Sequence, residues 1–394
     1  MDVLLYATPI FMLFVGIEAA VARVRRRPLY RLNDFASGLS CGMLDQVVNI
    51  SVIAVFLVVY AAVQRWQPWW TFSPDSALAW LLLFLGHDLC YYAFHRASHR
   101  VNVLWATHIV HHQSEEYNFT VSLRQGTVAT WLTYVFYLPL AMAGFPVGMF
   151  LIVHGLYQVY QFFVHTRLVG TLGPLEWVFA TPSVHRVHHG RTAECLDKNY
   201  GGFLNVWDRL GGTFQVETRE PEYGITTGIA SWSPYWANLH YFVHLARCSR
   251  TAPGLTAAVK VWLMPPEWKM PWVAGAPPIP HYDAQPPRAW APYLLTQLGL
   301  ALLGGWLVLL TRDSLSTAAV WILSGVVLAT LLGVAGFFDG KTWAPASELV
   351  RNSVVVVVFV TLGARGALPG WATTAGVAAS PLSLGACAWL MPRR

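Results

Sequence analysis

Apolar runs long enough to cross a bilayer alternate along this chain with polar stretches that collect histidine. A helix rises about 1.5 Å per residue, so roughly 20 apolar residues span the hydrocarbon layer. The run 3–22 is followed by Arg23, Arg25, Arg26, Arg27 and Arg31. A cleaved secretory leader carries its charge before the apolar part, so this order predicts a retained transmembrane helix with its basic end in the cytoplasm. Residues 43–63 predict a return helix, followed by a loop from Arg65 to Asp75 with Trp66, Trp69 and Trp70 at the interface. Residues 76–99 lead back, and their last turns carry His87, Asp88, His95, Arg96 and His99. The apolar segment 127–165 is broken at Gly144-Phe145-Pro146, which predicts a helical hairpin that enters and leaves on one side. That hairpin places His165 at the level of the other histidines and His154 about three turns deeper.

Residues 166–288 form the longest polar region. The paired glycines Gly201-Gly202 and Gly211-Gly212 predict turns around Phe203–Leu210, and eight prolines between Pro265 and Pro287 predict a loop. Beyond it, 289–311, 315–337, 351–367 and 371–391 read as four further membrane helices without histidine. The expected fold is an all-α integral membrane protein, a multi-helix transmembrane bundle with a cytoplasmic histidine-rich helical cap holding a dimetal site. Its expected divisions are N-terminal membrane helices (1–75), a catalytic unit (76–263), a proline-rich linker (264–288) and C-terminal membrane helices (289–394).

Composition agrees with this pattern. The chain is 55% hydrophobic and 12% charged, against roughly 25% charged for a soluble domain. Its mean hydropathy is +0.44. The net charge of +6 is accounted for by basic residues that mark cytoplasmic loops. No basic tract is interleaved with aromatics, which excludes a nucleic-acid partner. The five cysteines are scattered without a CxxC pair and give no disulfide framework. HExxH and GxGxxG are absent, so neither a zinc protease nor a dinucleotide fold is indicated.

The chemistry lies in three clusters: His95-x-x-x-His99, His108-x-x-His111-His112 and His185-x-x-His188-His189. Spacings of three and four bring imidazoles onto one helical face. In HxxHH the first histidine can pair with either of the next two, leaving the other to point at a second metal. Eight such ligands, joined by His165, exceed what one ion uses, since zinc takes four and first-row metals up to about six. Two metals therefore account for the count. Imidazole alone does not choose among Zn, Fe, Cu and Ni, but O₂ chemistry needs an ion that changes redox state. Asp88 and Glu115 are candidate acceptors for the outward N–H of a ligating histidine. His87 is open between ligand and supporting partner, and His154 between a supporting role and a channel lining. His240, His244 and His281 are expected to stand outside the site.

These motifs carry a family resemblance. HxxxH, HxxHH and HxxHH among membrane helices resemble the fatty acid hydroxylase / sterol desaturase superfamily of non-haem di-iron enzymes. The strings His87-Asp88-Leu89-Cys90-Tyr91-Tyr92, His111-His112-Gln113-Ser114-Glu115-Glu116, Leu172-Gly173-Pro174-Leu175-Glu176 and Asp197-Lys198-Asn199-Tyr200-Gly201 look like its alkylglycerol monooxygenase branch. The resemblance covers roughly residues 80–250. It implies that the histidines hold two iron ions and that Glu115 stands near the site. It also implies that O₂ hydroxylates a lipid alkyl chain beside an ether oxygen, releasing fatty aldehyde and glycerol. Tetrahydrobiopterin is the electron donor that the resemblance suggests, with a ferredoxin or cytochrome as an equal alternative. The expected partners are lipid, O₂, the membrane and a redox partner. The expected location is the bacterial inner membrane or the endoplasmic reticulum. Gly211 departs from the family pattern, which often has a bulky residue before Gly-Thr-Phe. Two rival readings remain at this point: sterol or fatty-acyl hydroxylation or desaturation, and a metal-binding or metal-transporting membrane protein without oxygenase activity.

Overall fold

The computed structural model describes residues 3–66, 68–273 and 281–368, with scattered positions beyond. Its regular elements among these residues are helices, with two isolated β-bridges, Phe179 with Leu204 and Gly190 with Tyr223. In chain order the helices are α1 (Val3–Val24), α2 (Leu32–Val48), α3 (Val52–Trp66), α4 (Ala77–Arg100), α5 (Asn102–His112), α6 (Phe119–Leu123), α7 (Ala129–Ala143) and α8 (Val147–Phe163). They continue as α9 (Pro182–His188), α10 (Val206–Gly211), α11 (Pro234–Arg250), α12 (Leu255–Leu263), α13 (Ala291–Thr311), α14 (Thr317–Phe338) and α15 (Ala344–Ala364). Five segments, including those formed by α1, α4, α13, α14 and α15, are long and apolar enough to cross a membrane, or six if α2 and α3 count as one broken span. The chain is an integral membrane protein. The last expected helix, 371–391, lies mostly outside the described residues, as do 274–280 of the proline-rich stretch.

The expected helix 43–63 is instead the bent pair α2–α3, with 53° between its halves. The bend has a chemical cause. Asp45 is buried in the last turn of α2, and Asn49, at its C-cap, donates to Asp45 (2.7 Å) and to the Thr127 carbonyl (2.9 Å). Satisfying these side chains against the start of α7 turns the chain away from a straight span. α2 then runs inside the protein, in one core with α13 and α14 that includes Ala36, Leu39, Trp290, Leu294 and Leu331.

The hairpin α7–α8 forms as its glycine and proline predict. Gly144 takes φ +105° at the C-cap of α7, and Pro146 starts α8. Its apex reaches the loop after α3, where Trp69 N–H donates to the Met142 carbonyl at 2.9 Å. Side-chain caps set other starts: Ser76 accepts from Ala79 N–H on α4, and Ser233 from Trp236 N–H on α11. A second close approach lies under α5, where a Cβ on Gly126 would stand 3.2 Å from the Thr107 carbonyl carbon and collide with its oxygen. Gly126→Ala is therefore expected to cost about 1–3 kcal/mol, read as a lowered thermal midpoint in detergent; an unchanged midpoint would show that the α5 backbone gives way.

Candidate metal centre

α4, α5, α9 and the residues after α8 converge on one buried volume beside the membrane helices. Their imidazoles fall into two groups whose candidate ligand atoms lie within 4.8 Å of one another: His95, His99, His108, His112 and His188, and then His111, His165, His185 and His189. All nine sequence-derived candidates are brought together. The division follows helical geometry. In each HxxHH motif the i, i+4 pair stays in one group and the middle histidine crosses to the other: His111 joins His185 and His189, while His188 joins His108 and His112. The two short helices thus interlock, each giving ligand atoms to both groups.

The imidazole nitrogens have settled orientations. His95 Nδ1 lies 2.8 Å from the Tyr200 carbonyl, His165 Nδ1 2.7 Å from Gln161 O, His188 Nδ1 2.9 Å from Lys198 O, and His111 Nδ1 3.2 Å from Arg124 O. A carbonyl only accepts, so each Nδ1 donates its proton outward and leaves Nε2 as a bare lone pair facing inward. The inward nitrogens are crowded: His95 and His108 Nε2 are 3.1 Å apart, His165 and His185 Nε2 3.1 Å, and His111 and His165 Nε2 3.2 Å. The Nε2 atoms of His99, His188 and His189 are buried without a hydrogen-bond partner. Burial pushes His108, His112, His165, His185, His188 and His189 well below the usual histidine range and His111 down to about 4, which holds these rings neutral at pH 7. A neutral imidazole with a free inward nitrogen can ligate a metal, and nitrogens gathered this closely suit a shared cation. The donor set fits two transition metal ions, one with up to five imidazoles and one with four.

Backbone and buried polar groups hold this arrangement. Asp208 accepts from Tyr200 N (2.8 Å), Gly201 N (2.6 Å) and Thr213 Oγ1 (2.7 Å), and so fixes the carbonyl that receives His95. Asp197 and Asn199 both take left-handed φ (58° and 55°) on either side of Lys198, whose carbonyl receives His188. Arg124, fully buried, donates to the Val110 carbonyl on α5, to Ser37 on α2 and to Gln113. Glu18 of α1 accepts from Phe119 N (2.8 Å), Tyr30 and Thr166, which follows His165. Arg186 pairs with Glu217 at 2.6 Å and donates to the Thr166 carbonyl at 2.9 Å. Glu18 was not singled out by the sequence, and its one signal is a charged residue within an apolar segment.

The two carboxylates expected near the histidines stand elsewhere. Asp88 accepts from Tyr157 Oη (2.7 Å), Trp207 Nε1 (2.8 Å) and Phe203 N (3.0 Å), with Leu204 N at 3.3 Å, and has no histidine partner. It pins the 203–207 segment to α4. Glu115 pairs with Arg31 (3.0 Å) and His281 (2.5 Å) at the rim of a cavity of about 390 Å³. The cavity wall continues inward through Tyr223, stacked on Tyr117 at 5.0 Å, which stands 5.2 Å from the His189 ring. His87 and His154 pair with each other at 3.1 Å, apart from both groups. His240, His244 and His281 also stand outside the groups. Gly211 is explained by contact: a Cβ there would meet the Tyr92 hydroxyl and stand 2.9 Å from Arg96 NH1.

Known proteins match this chain across the same region. The family model described as fatty acid hydroxylase covers residues 80–213, which include all nine histidines. An alkylglycerol monooxygenase of Danio rerio is 34% identical over 369 residues, 89% of this chain and 81% of that protein. The Homo sapiens alkylglycerol monooxygenase is 36% identical over 265 residues, 66% of this chain and 59% of that protein. An ornithine lipid hydroxylase of Rhizobium tropici is 28% identical over 188 residues, 45% of this chain and 55% of that protein. No solved structure matches. With its paired imidazole groups and this similarity over most of its length, the chain belongs to the fatty acid hydroxylase family, with alkylglycerol monooxygenases among its relatives.

Proposed function

We propose that the protein is a membrane-embedded di-iron lipid monooxygenase that oxidises the alkyl chain of an ether lipid next to its oxygen. The observation that carries this is the pair of neutral imidazole groups, five and four, enclosed beside membrane helices. His95, His99, His108, His112 and His188 would hold one iron, and His111, His165, His185 and His189 the other. Bound iron would supply O₂ activation, which imidazole alone cannot. The chain's own contribution is positional. Carbonyls of residues 124, 161, 198 and 200 hold the rings in one tautomer, and the burial of the rings keeps water from the reacting carbon.

The overall reaction consumes lipid, O₂, two electrons and two protons, and yields hydroxylated lipid and water. Hydroxylation at the ether carbon gives a hemiacetal, whose C–O bond breaks to release a fatty aldehyde and glycerol. The electrons come from tetrahydrobiopterin or from a redox protein. The basic residues after α1 support a site facing the cytoplasm. The ornithine lipid hydroxylase relative supports a second reading, hydroxylation of another lipid chain without ether cleavage.

The test is metal analysis and O₂ uptake on the purified, reconstituted protein. About two irons per chain and O₂ uptake coupled to aldehyde release from a 1-O-alkylglycerol are expected. Hydroxylated lipid without aldehyde would select the second reading. Zinc with no O₂ uptake would overturn both and leave a metal-binding membrane protein.

A further inference from the structure

The exposed face of α4 carries Leu78, Leu82, Leu89 and Ala93 on one stripe that ends at Arg96. On α8, Ile152 and Leu156 are exposed likewise. In the cap, α10 and the turn Gly173–Trp177 present a further apolar patch. Leu210 is 76% and Trp177 71% exposed, with Leu175 beside Trp177 in the same turn. These two pieces are tied together, since Arg209 Nε donates to the Trp177 carbonyl at 3.0 Å. They also pack against α4, since Gly211 lies against the Tyr92 hydroxyl and the Arg96 guanidinium. The patch therefore sits where the lipid-facing stripe of α4 gives way to charge. Exposed Arg96 and Arg209 flank it, as basic residues do at the phosphate level of a bilayer.

Between α4 and α8 at this level lies the segment 201–204. Phe203 stacks on Tyr160 of α8 (4.0 Å) and stands edge-on to Phe84 of α4 (5.0 Å). Behind it, Gly202 is pressed against Tyr157 and Tyr91, and Tyr91 stands edge-on to His95 at 5.2 Å. These two aromatic layers lie between the lipid-facing seam and the first imidazole group. Asp88 accepts the Phe203 and Leu204 amides, and the Phe203 carbonyl accepts from Ala180 N at 2.9 Å.

We propose that lipid reaches the histidine centre sideways from the bilayer, between α4 and α8 past Phe203, and that Leu175, Trp177 and Leu210 seat the cap in the headgroup layer beside this entrance. The occupant of the patch is the lipid surface. Its apolar area lies next to the end of the membrane face of α4, and its arginines match anionic headgroups. Exposed to water, large apolar side chains grouped in this way are unfavourable. The entrance deepens the proposed lipid chemistry, whereas the seating stands independently of it.

Two measurements on the full chain in phosphatidylcholine–phosphatidylglycerol vesicles test this. A nitroxide on Leu210→Cys, with the labelled unsubstituted protein as background, should collide with lipid-soluble O₂ far more than with a water-soluble nickel chelate. Nickel-dominated collisions would put the patch in water, and a label shielded from both would put a protein against it; either overturns the seating. A diazirine placed in the alkyl chain of an ether lipid should then form adducts on Phe203 and Tyr160 that excess unlabelled lipid suppresses. Adducts there that excess lipid does not suppress, or suppressible adducts only elsewhere, overturn the entrance. Neither readout needs turnover. Absent O₂ uptake with both results intact would refute the proposed reaction and leave the lipid path standing.

Discussion

Replacing His188 with alanine is expected to empty the five-imidazole group of metal and to lower lipid oxidation by more than about 100-fold. His188 comes from α9, whereas the other four members come from α4 and α5, so it closes that group from the opposite side. Its ring lies 4.2 Å from that of His95 and 4.8 Å from those of His99 and His112. The same substitution should cost the metal-free protein less stability than the metal-loaded one. Without metal, the inward Nε2 of His188 is a buried acceptor with no partner, and removing it removes an unfavourable burial. Metal content, turnover and thermal midpoints with and without chelator measure the three effects. Full metal and full activity in the variant would refute the ligand role. A midpoint that falls equally with and without metal would make His188 a packing residue instead.

Asp88→Ala is expected to act in the opposite way, on the fold first and on metal only through it. The substitution leaves Tyr157 Oη, Trp207 Nε1 and the amides of Phe203 and Leu204 without their acceptor. Each buried donor left unpaired costs about 1–3 kcal/mol, so a loss of at least about 3 kcal/mol is expected. Hydrogen exchange should speed up through 200–207 before it does in α5 or α9. Metal should leave from the His95 side, because the Tyr200 carbonyl rides on the same segment. Were Asp88 instead acting directly on a ligand, metal affinity would fall while exchange in 200–207 stayed slow.

The sequence made the clustered histidines legible because their signal is a side-chain type at helical spacing. The same holds for the break at Gly144-Phe145-Pro146, where residue type and backbone geometry coincide. What holds the ligands was not legible, because the receiving groups are main-chain carbonyls of Arg124, Gln161, Lys198 and Tyr200, and any residue could supply them. The allocation of histidines to two groups was equally open, since His108 could pair with either His111 or His112 until α9 was set against α5. The bend between α2 and α3 escaped for a related reason. Asp45 and Asn49 look like minor polar interruptions of an apolar run until Thr127 and Thr130 are brought beside them. Asp88 and Glu115 were selected as acidic residues close in sequence to histidines, yet a carboxylate serves whichever donors the tertiary structure delivers. For Asp88 these belong to the 203–207 segment and Tyr157, and for Glu115 to Arg31 and His281.

The core that joins Ala36, Leu39 and Leu44 of α2 to Trp290, Leu294 and Leu331 bears on how the protein is made. Arg124, under α5, leans on Ser37 of that same α2. A ribosome delivers residues in order, so every histidine emerges while the far side of α2 still lacks its packing partners. The Asp339 carboxylate, which receives Ser231 Oγ (2.6 Å) and Trp232 N (2.7 Å), arrives later still. Insertion of the ligand-poor C-terminal helices thus becomes the closing event of biogenesis, and an unfinished chain keeps a loose floor beneath its histidines. A chain stalled before α14 is therefore expected to retain less metal than one that includes α14, read by metal analysis of the two.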